Sequence, residues 1–149
     1  MYRVKTNSDG SIDKFKARLV IKGFKQVHGI DCNQTFSPVA KMQAIRSILS
    51  IGASDKMHLS QFDISTAFLY GDLEEVIYMQ QPEGYDDCSG RVCLLKESRY
   101  GLKQALRCWN KRFGNYLLKL GFEVSHADPC MFIRSTGNSK LISYMWMTG

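Results

Sequence analysis

Two stretches of the sequence carry the 3.6-residue period of a helix. Every other apolar run is short, alternating or bounded by turn residues, and no regular strand-helix-strand beat recurs. That order argues against a uniformly parallel sheet and predicts an α+β fold, an antiparallel sheet backed by helices. The first helical stretch starts with Ser37 as N-cap and Pro38 at the first helical position and runs to about Ser54. Its Val39, Met42, Ile45, Ile48, Leu49 and Gly52 keep one face, the pattern of a core stripe. The second, "RYGLKQALRCWNKRFGNYLLKLG", aligns Ala105, Trp109, Arg112, Phe113, Tyr116, Leu117 and Leu120, and Gly121 is placed to end it. Its aromatics read as core.

The remaining runs read as strands. Tyr2 to Lys5, the turn "NSDG" and "SIDKFKARLVIKG" form a hairpin that could project as a subdomain. In its second strand Lys14, Lys16 and Arg18 fall on one face, while Phe15, Ala17, Leu19 and Ile21 fall on the other, which is expected to be buried. A solvated face is the commoner fate of such a basic row. "VIYMQQPEGY" and "RVCLLKES" read as two strands joined by a polar loop, and "PCMFIRSTGNSKLISYMW" as a last hairpin turning at "STGNS".

At 149 residues the chain has the size of one domain, or of a piece of a larger fold. With 44% hydrophobic and 23% charged residues it has a globular composition, and no apolar run approaches the roughly 20 residues of a membrane span. No membrane partner is expected. The opening "MYRVKTNSDG" lacks a secretory or organelle-targeting pattern, which predicts a cytoplasmic or nuclear location. A formal charge of +6 suits a polyanionic partner, although it equally suits a merely basic protein. The five cysteines are odd in number and form no CxxC pair; free thiols in a reducing compartment are expected, and a zinc site is not.

Asp63 stands apart, because it interrupts the apolar, strand-like stretch "MHLSQFDISTAFLYGDL". A carboxylate buried there needs a cation or hydrogen bonds to offset its desolvation. With Phe68 five residues on and a basic strand upstream, the grouping suits nucleotide chemistry, a divalent cation held against a triphosphate.

The series "KARLVIKGF", "TFSPVAKMQAIRSILSI", "QFDISTAFLYGDL", "VIYMQQPEGY" and "RYGLKQALRCW", in this order, resembles the reverse transcriptase of Ty1/copia-type long-terminal-repeat retrotransposons over nearly the whole chain. The resemblance implies a partial right-hand polymerase of fingers and palm without a thumb. Residues 1–36 would form the fingers hairpin region and residues 37–149 the remainder, cut from a polyprotein. It implies RNA or DNA template and primer, dNTP substrates and two Mg²⁺ ions held by three aspartates. The parent element would work in a cytoplasmic virus-like particle.

Position by position, the resemblance makes Asp63 the catalytic metal ligand and places Ile64 beside the incoming triphosphate. Phe68 becomes the aromatic gate against a 2′ hydroxyl. Lys16 and Arg18 become phosphate contacts of the fingers, and Tyr100, Gly101 and Gln104 pack on nucleotide and template. Where the family reads GLKQAPR this chain has Leu106 in place of Pro, a change that bears on the local turn.

The family's other two aspartates belong to a YVDD hairpin due where this chain reads "LISYMWMTG", and neither is there. Tyr85, Asp86 and Asp87 are no substitute, since Cys88, Ser89 and Gly90 continue them as a polar turn. The codons are informative: Met145, Trp146, Met147 and Thr148 must be ATG TGG ATG ACN, which two bases out of frame reads Val, Asp, Asp. With TAT for Tyr144 the shifted frame spells YVDD. The expectation is a frame change shortly before Tyr144 and a chain without polymerase activity, because one carboxylate cannot balance two metal ions. The alternatives are a non-catalytic nucleic-acid-binding remnant and an unstable pseudogene product.

Overall fold

The computed structural model describes residues 1–137 and 139–145. Among them seven strands and two α-helices follow in the order β1 (Tyr2–Thr6), β2 (Ile12–Ala17), α1 (Met42–Ser54), β3 (Asp72–Gln80), β4 (Val92–Glu97), α2 (Ala105–Lys119), β5 (Glu123–Val124), β6 (Met131–Thr136) and β7 (Ser139–Tyr144). The fold is mixed, with helices and antiparallel strands as expected. The strands form not one sheet but three small ones, β1-β2, β3-β4 and β5-β6-β7.

The first hairpin forms where its turn chemistry dictates. Gly10 takes a φ of 85°, and Asp9 Oδ1 accepts the Ser11 amide at 2.9 Å. Its register pairs Arg3 with Lys16 and Lys5 with Lys14, and Tyr2 with Ala17 and Val4 with Phe15. One face is therefore cationic and the other apolar, but the apolar face is not buried: Tyr2 is 90% exposed and Phe15 77%. Among the described residues no second layer covers this two-stranded ribbon. Of the predicted buried row only Ile21, beyond the strand, reaches a core.

α1 starts four residues later than Ser37 and Pro38 suggested. Ser37 is buried with its Oγ unpartnered, and the Lys41 amide donates to Tyr144 Oη at 2.8 Å. A tertiary hydrogen bond thus holds the segment extended past its local helix signal. The apolar stripe of α1 is also less buried than expected. Gly52 is the helix's buried residue, Ile45 and Ile48 are half-buried, and Met42 and Leu49 are exposed.

α2 follows its sequence pattern more closely. Ala105, Cys108, Trp109 and Leu117 are buried, Trp109 stacks on Phe113 at 5.5 Å, and Gly121 follows the helix with a φ of 80°. Leu106 is the second residue of α2, within the first turn, where a backbone amide has no intrahelical partner. A Pro there would disfavour the α region at Ala105, so Leu106 eases the start of the helix at Ala105.

Two small cores result. Ile77, Leu102 and Ala105 meet Ile21, Phe68, Leu73 and Leu95, while Leu117, Phe132 and Met145 meet Phe113 and Phe122. The first core lies beneath the residues described next.

Candidate nucleotide site

The chain leaving β2 docks on the turn that precedes α2. The Ile21 amide donates to the Tyr100 carbonyl at 2.8 Å. Gly101, at a φ of 94°, lies so close that a Cβ there would stand 2.1 Å from the Ile21 carbonyl oxygen, and a Cβ on Gly23 would stand 1.9 Å from that of Gly101. Only glycine permits this approach of two backbones.

On this junction sits an aromatic and cationic cluster. The Arg18 guanidinium lies 5.3 Å from the Tyr100 ring centroid, and Phe68 meets the same ring edge to face at 5.1 Å. Phe68 is carried by a 3-10 turn, Ala67–Tyr70, entered through Thr66 in the left-handed region. Lys16 lies next along β2. Arg18, then burial and the charges of Lys5 and Lys14, lower its pKa, while Asp63 acts in the opposite sense. Asp63 is therefore within electrostatic reach of the cationic face.

Arg18, Phe68, Tyr100 and Gly101 are thus gathered from three separate parts of the sequence, with Lys16 and Asp63 in electrostatic reach. Ile64 is half-buried beside Asp63. Two expectations need correction. Asp63 is exposed and lies in irregular chain rather than on a strand, and among the described residues no strand pairs with the segment around it. It incurs no burial cost and needs no buried partner. Gln104, expected against nucleotide and template, is fully buried, and its amide is occupied by protein groups.

Asp86 and Asp87 occupy the surface loop between β3 and β4. Gln81, Ser89 and Arg91 hydrogen-bond Asp87 and hold its carboxyl far below the usual carboxylate range, Ser89 most strongly. At the other end of the molecule Tyr144 Oη lies 3.2 Å from Asp128 Oδ2 and 3.2 Å from the Lys41 carbonyl. Burial pushes that phenol above its ordinary value. Met145 packs in the second core, and Trp146, Met147 and Thr148 lie outside the described residues.

Among the described residues no three His, Cys, Asp or Glu side chains gather as a metal site requires. The donor set around Asp63 does not fit a pair of Mg²⁺ ions, whose charge several carboxylates must balance. No described helix is long and apolar enough to cross a membrane.

Sequence reasoning missed Gln26 and Asp31, which engage Gln104 from 78 and 73 residues away. No local pattern marks them, since both lie in a polar loop.

Residues 1–148 match the family described as reverse transcriptase (RNA-dependent DNA polymerase). The chain is 43% identical over 144 residues to the retrovirus-related Pol polyprotein from transposon TNT 1-94 of Nicotiana tabacum, covering 95% of this chain and 11% of that protein. It is 43% identical over 147 residues to the Pol polyprotein from transposon RE1 of Arabidopsis thaliana, 97% of this chain and 10% of that one. Against the transposon Ty1-BL Gag-Pol polyprotein of Saccharomyces cerevisiae the identity is 33% over 123 residues, 80% of this chain and 7% of the relative. No solved structure matches. The chain spans about a tenth of the length of its plant relatives, and it belongs to the reverse transcriptase family as a domain fragment of a copia-type retrotransposon Pol polyprotein.

Proposed function

We propose that this chain is the fingers and palm part of an RNA-directed DNA polymerase, with residues 1–36 as the fingers hairpin region and 37–149 as the remainder. On this reading it binds dNTP and an RNA or DNA template with its primer through phosphate contacts, and does not polymerise on its own. The observation that carries the reading is the convergence of Arg18, Phe68, Tyr100 and Gly101 on one junction, with Lys16 and Asp63 in electrostatic reach. Lys16 and Arg18 offer charge for a triphosphate, and Phe68 and Tyr100 offer a surface for a sugar or base. Asp63 matches one metal ligand of the family, and no second carboxylate beside it completes a two-Mg²⁺ site among the described residues.

The absence of activity follows from the sequence at the YVDD position, where Met145, Trp146 and Met147 offer no carboxylate. A frame change ahead of Tyr144 accounts for those residues. Primer extension by the purified chain is expected to be undetectable; extension that Asp63→Ala abolishes would overturn the assignment. Sequencing genomic DNA and transcript across Ser143 tests the frame change, and a transcript that encodes YVDD in frame removes it. A cytosolic or nuclear location belongs to the same reading.

The cationic face of the first hairpin favours a second reading, a remnant that binds nucleic acid without catalysis. Arg3, Lys5, Lys14, Lys16 and Arg18 would release counterions from a primer-template duplex. Counted at about −0.9 per phosphate, they predict a slope of log affinity on log salt of roughly −4.5. No binding at low salt excludes this reading.

A further inference from the structure

We propose that the buried Gln104 and the half-buried Gln26 form an amide clasp that positions the nucleotide site, and that Gln104 is not itself a nucleotide contact. Gln104 is completely buried. Its Nε2 donates to the Asp31 carbonyl at 2.9 Å and lies 3.4 Å from Glu75 Oε2, while its Oε1 accepts from Gln26 Nε2 at 3.0 Å. Both donors are engaged and the oxygen takes one bond, and full burial leaves no amide atom open to a ligand.

The direction of each amide is fixed by backbone groups of known polarity. The Lys103 amide can only donate, and it does so to Gln26 Oε1 at 2.8 Å; the Asp31 carbonyl can only accept. Lys103 Nζ adds a bond to the Gln26 carbonyl at 3.0 Å. A flipped amide at either residue would set like poles against each other.

The clasp joins the same two segments that build the site. Residues 21–26 follow β2, which carries Lys16, and Arg18 just past its end, and residues 100–104 carry Tyr100 and Gly101. The Ile21 amide bond to Tyr100 ties them at one end and the two glutamines tie them at the other, with the Gly23 and Gly101 contact between. Two ties prevent rotation about either, so the Arg18 cation and Tyr100 ring hold their spacing. Gln26 and Gln104 are positioning residues.

The inference rests on the phosphate-binding reading above, so its test has two readouts. Binding of dATP and of tripolyphosphate is measured on the full chain and on Gln26→Ala, Gln104→Ala and the double variant, well below their unfolding temperatures. Each single variant is expected to weaken both ligands by the same factor, about 2- to 10-fold for one lost hydrogen bond, and the double variant by no more than either single one. A direct contact predicts otherwise: Gln104→Ala would weaken dATP alone and Gln26→Ala neither, which overturns the clasp.

Hydrogen exchange at the Ile21 and Lys103 amides is the second readout, and it needs no ligand. Faster exchange at both in Gln26→Ala supports the clasp, and unchanged exchange at Ile21 overturns it. If the unaltered chain binds neither ligand, the phosphate reading fails while the exchange result still decides the clasp. Should Gln104→Ala not fold, Gln26→Glu serves, since it keeps the acceptor for Lys103 and removes the donor to Gln104.

Discussion

At the scale of single residues, Gly101 sets the tightest limit on the site. Gly101→Ala must place a Cβ against the Ile21 carbonyl oxygen at a φ of 94°, so it combines a steric conflict with left-handed strain. Strain alone costs about 1–3 kcal/mol, and relief of the clash requires the Ile21 to Tyr100 bond to open. Gly10→Ala is the control, because Gly10 has a φ of 85° with nothing within 4 Å. It should cost about 1 kcal/mol and leave dNTP binding intact. Denaturant midpoints of the two variants check this; equal midpoints would deny the close approach. Thiol chemistry offers a second residue-level test. Burial, then the neighbouring Asp128, pushes the Cys130 thiol up to about 11, whereas Cys88 is exposed. In the native protein Cys88 should be alkylated first and Cys130 only on unfolding. The raised folded value means Cys130 adds stability that is fully present below the ordinary thiol pKa and is lost as pH rises towards 11. A urea midpoint that falls between pH 9 and 11 and recovers in Cys130→Ser supports the assignment.

At the scale of elements, what could be read from sequence is what local chemistry decides. The first turn was readable because Asp9 and Gly10 close it with their own atoms, and α2 because its buried positions recur at helical spacing and Gly121 ends it. The start of α1 was not, since the bond from Lys41 to Tyr144 spans 103 residues and outweighs the Ser37 and Pro38 signal. Asp63 misled for a related reason. Its apolar neighbours resemble a strand, but strand formation needs a partner edge that this segment does not find. The alternation of β2 was read correctly as a division of faces and wrongly as burial, because alternation reports only that the faces differ. The cationic face makes a prediction of its own. Arg3 opposite Lys16 and Lys5 opposite Lys14 set like charges across the ladder, an arrangement that opposes pairing. Lys5→Glu should therefore raise the hairpin's population, read from cross-strand amide protection, while it weakens binding to a primer-template duplex. A loss of both would show that Lys5 supports the hairpin rather than the ligand.

At the scale of the whole molecule the decisive quantity is exposed surface. A monomeric protein of 17.0 kDa is expected to expose about 7,700 Å², and this chain exposes 11372 Å². The difference has the size of an obligate interface. It is distributed over identifiable groups: the apolar face of the first hairpin, the Met42 and Leu49 side of α1, and Val76, Tyr78, Val92 and Leu94 on the β3-β4 ribbon. The two cores beneath them are each built on three buried residues. Hydrophobic periodicity announced the faces of the first hairpin and of α1 as core without indicating what would cover them, and this chain spans about a tenth of the length of its plant relatives. The consequence is thermodynamic. Folding gains scale with apolar area removed from water, while the entropy of ordering the chain is incurred in full, so three small sheets with uncovered faces have little to set against it. The isolated chain is expected to unfold over a broad temperature range, to bind the dye ANS in native buffer and to self-associate as its concentration rises. Calorimetry, dye fluorescence and light scattering on one preparation test this together. A single sharp transition with calorimetric and van't Hoff enthalpies equal, no dye binding and a constant monomer mass would mean that the exposed faces close on one another in solution.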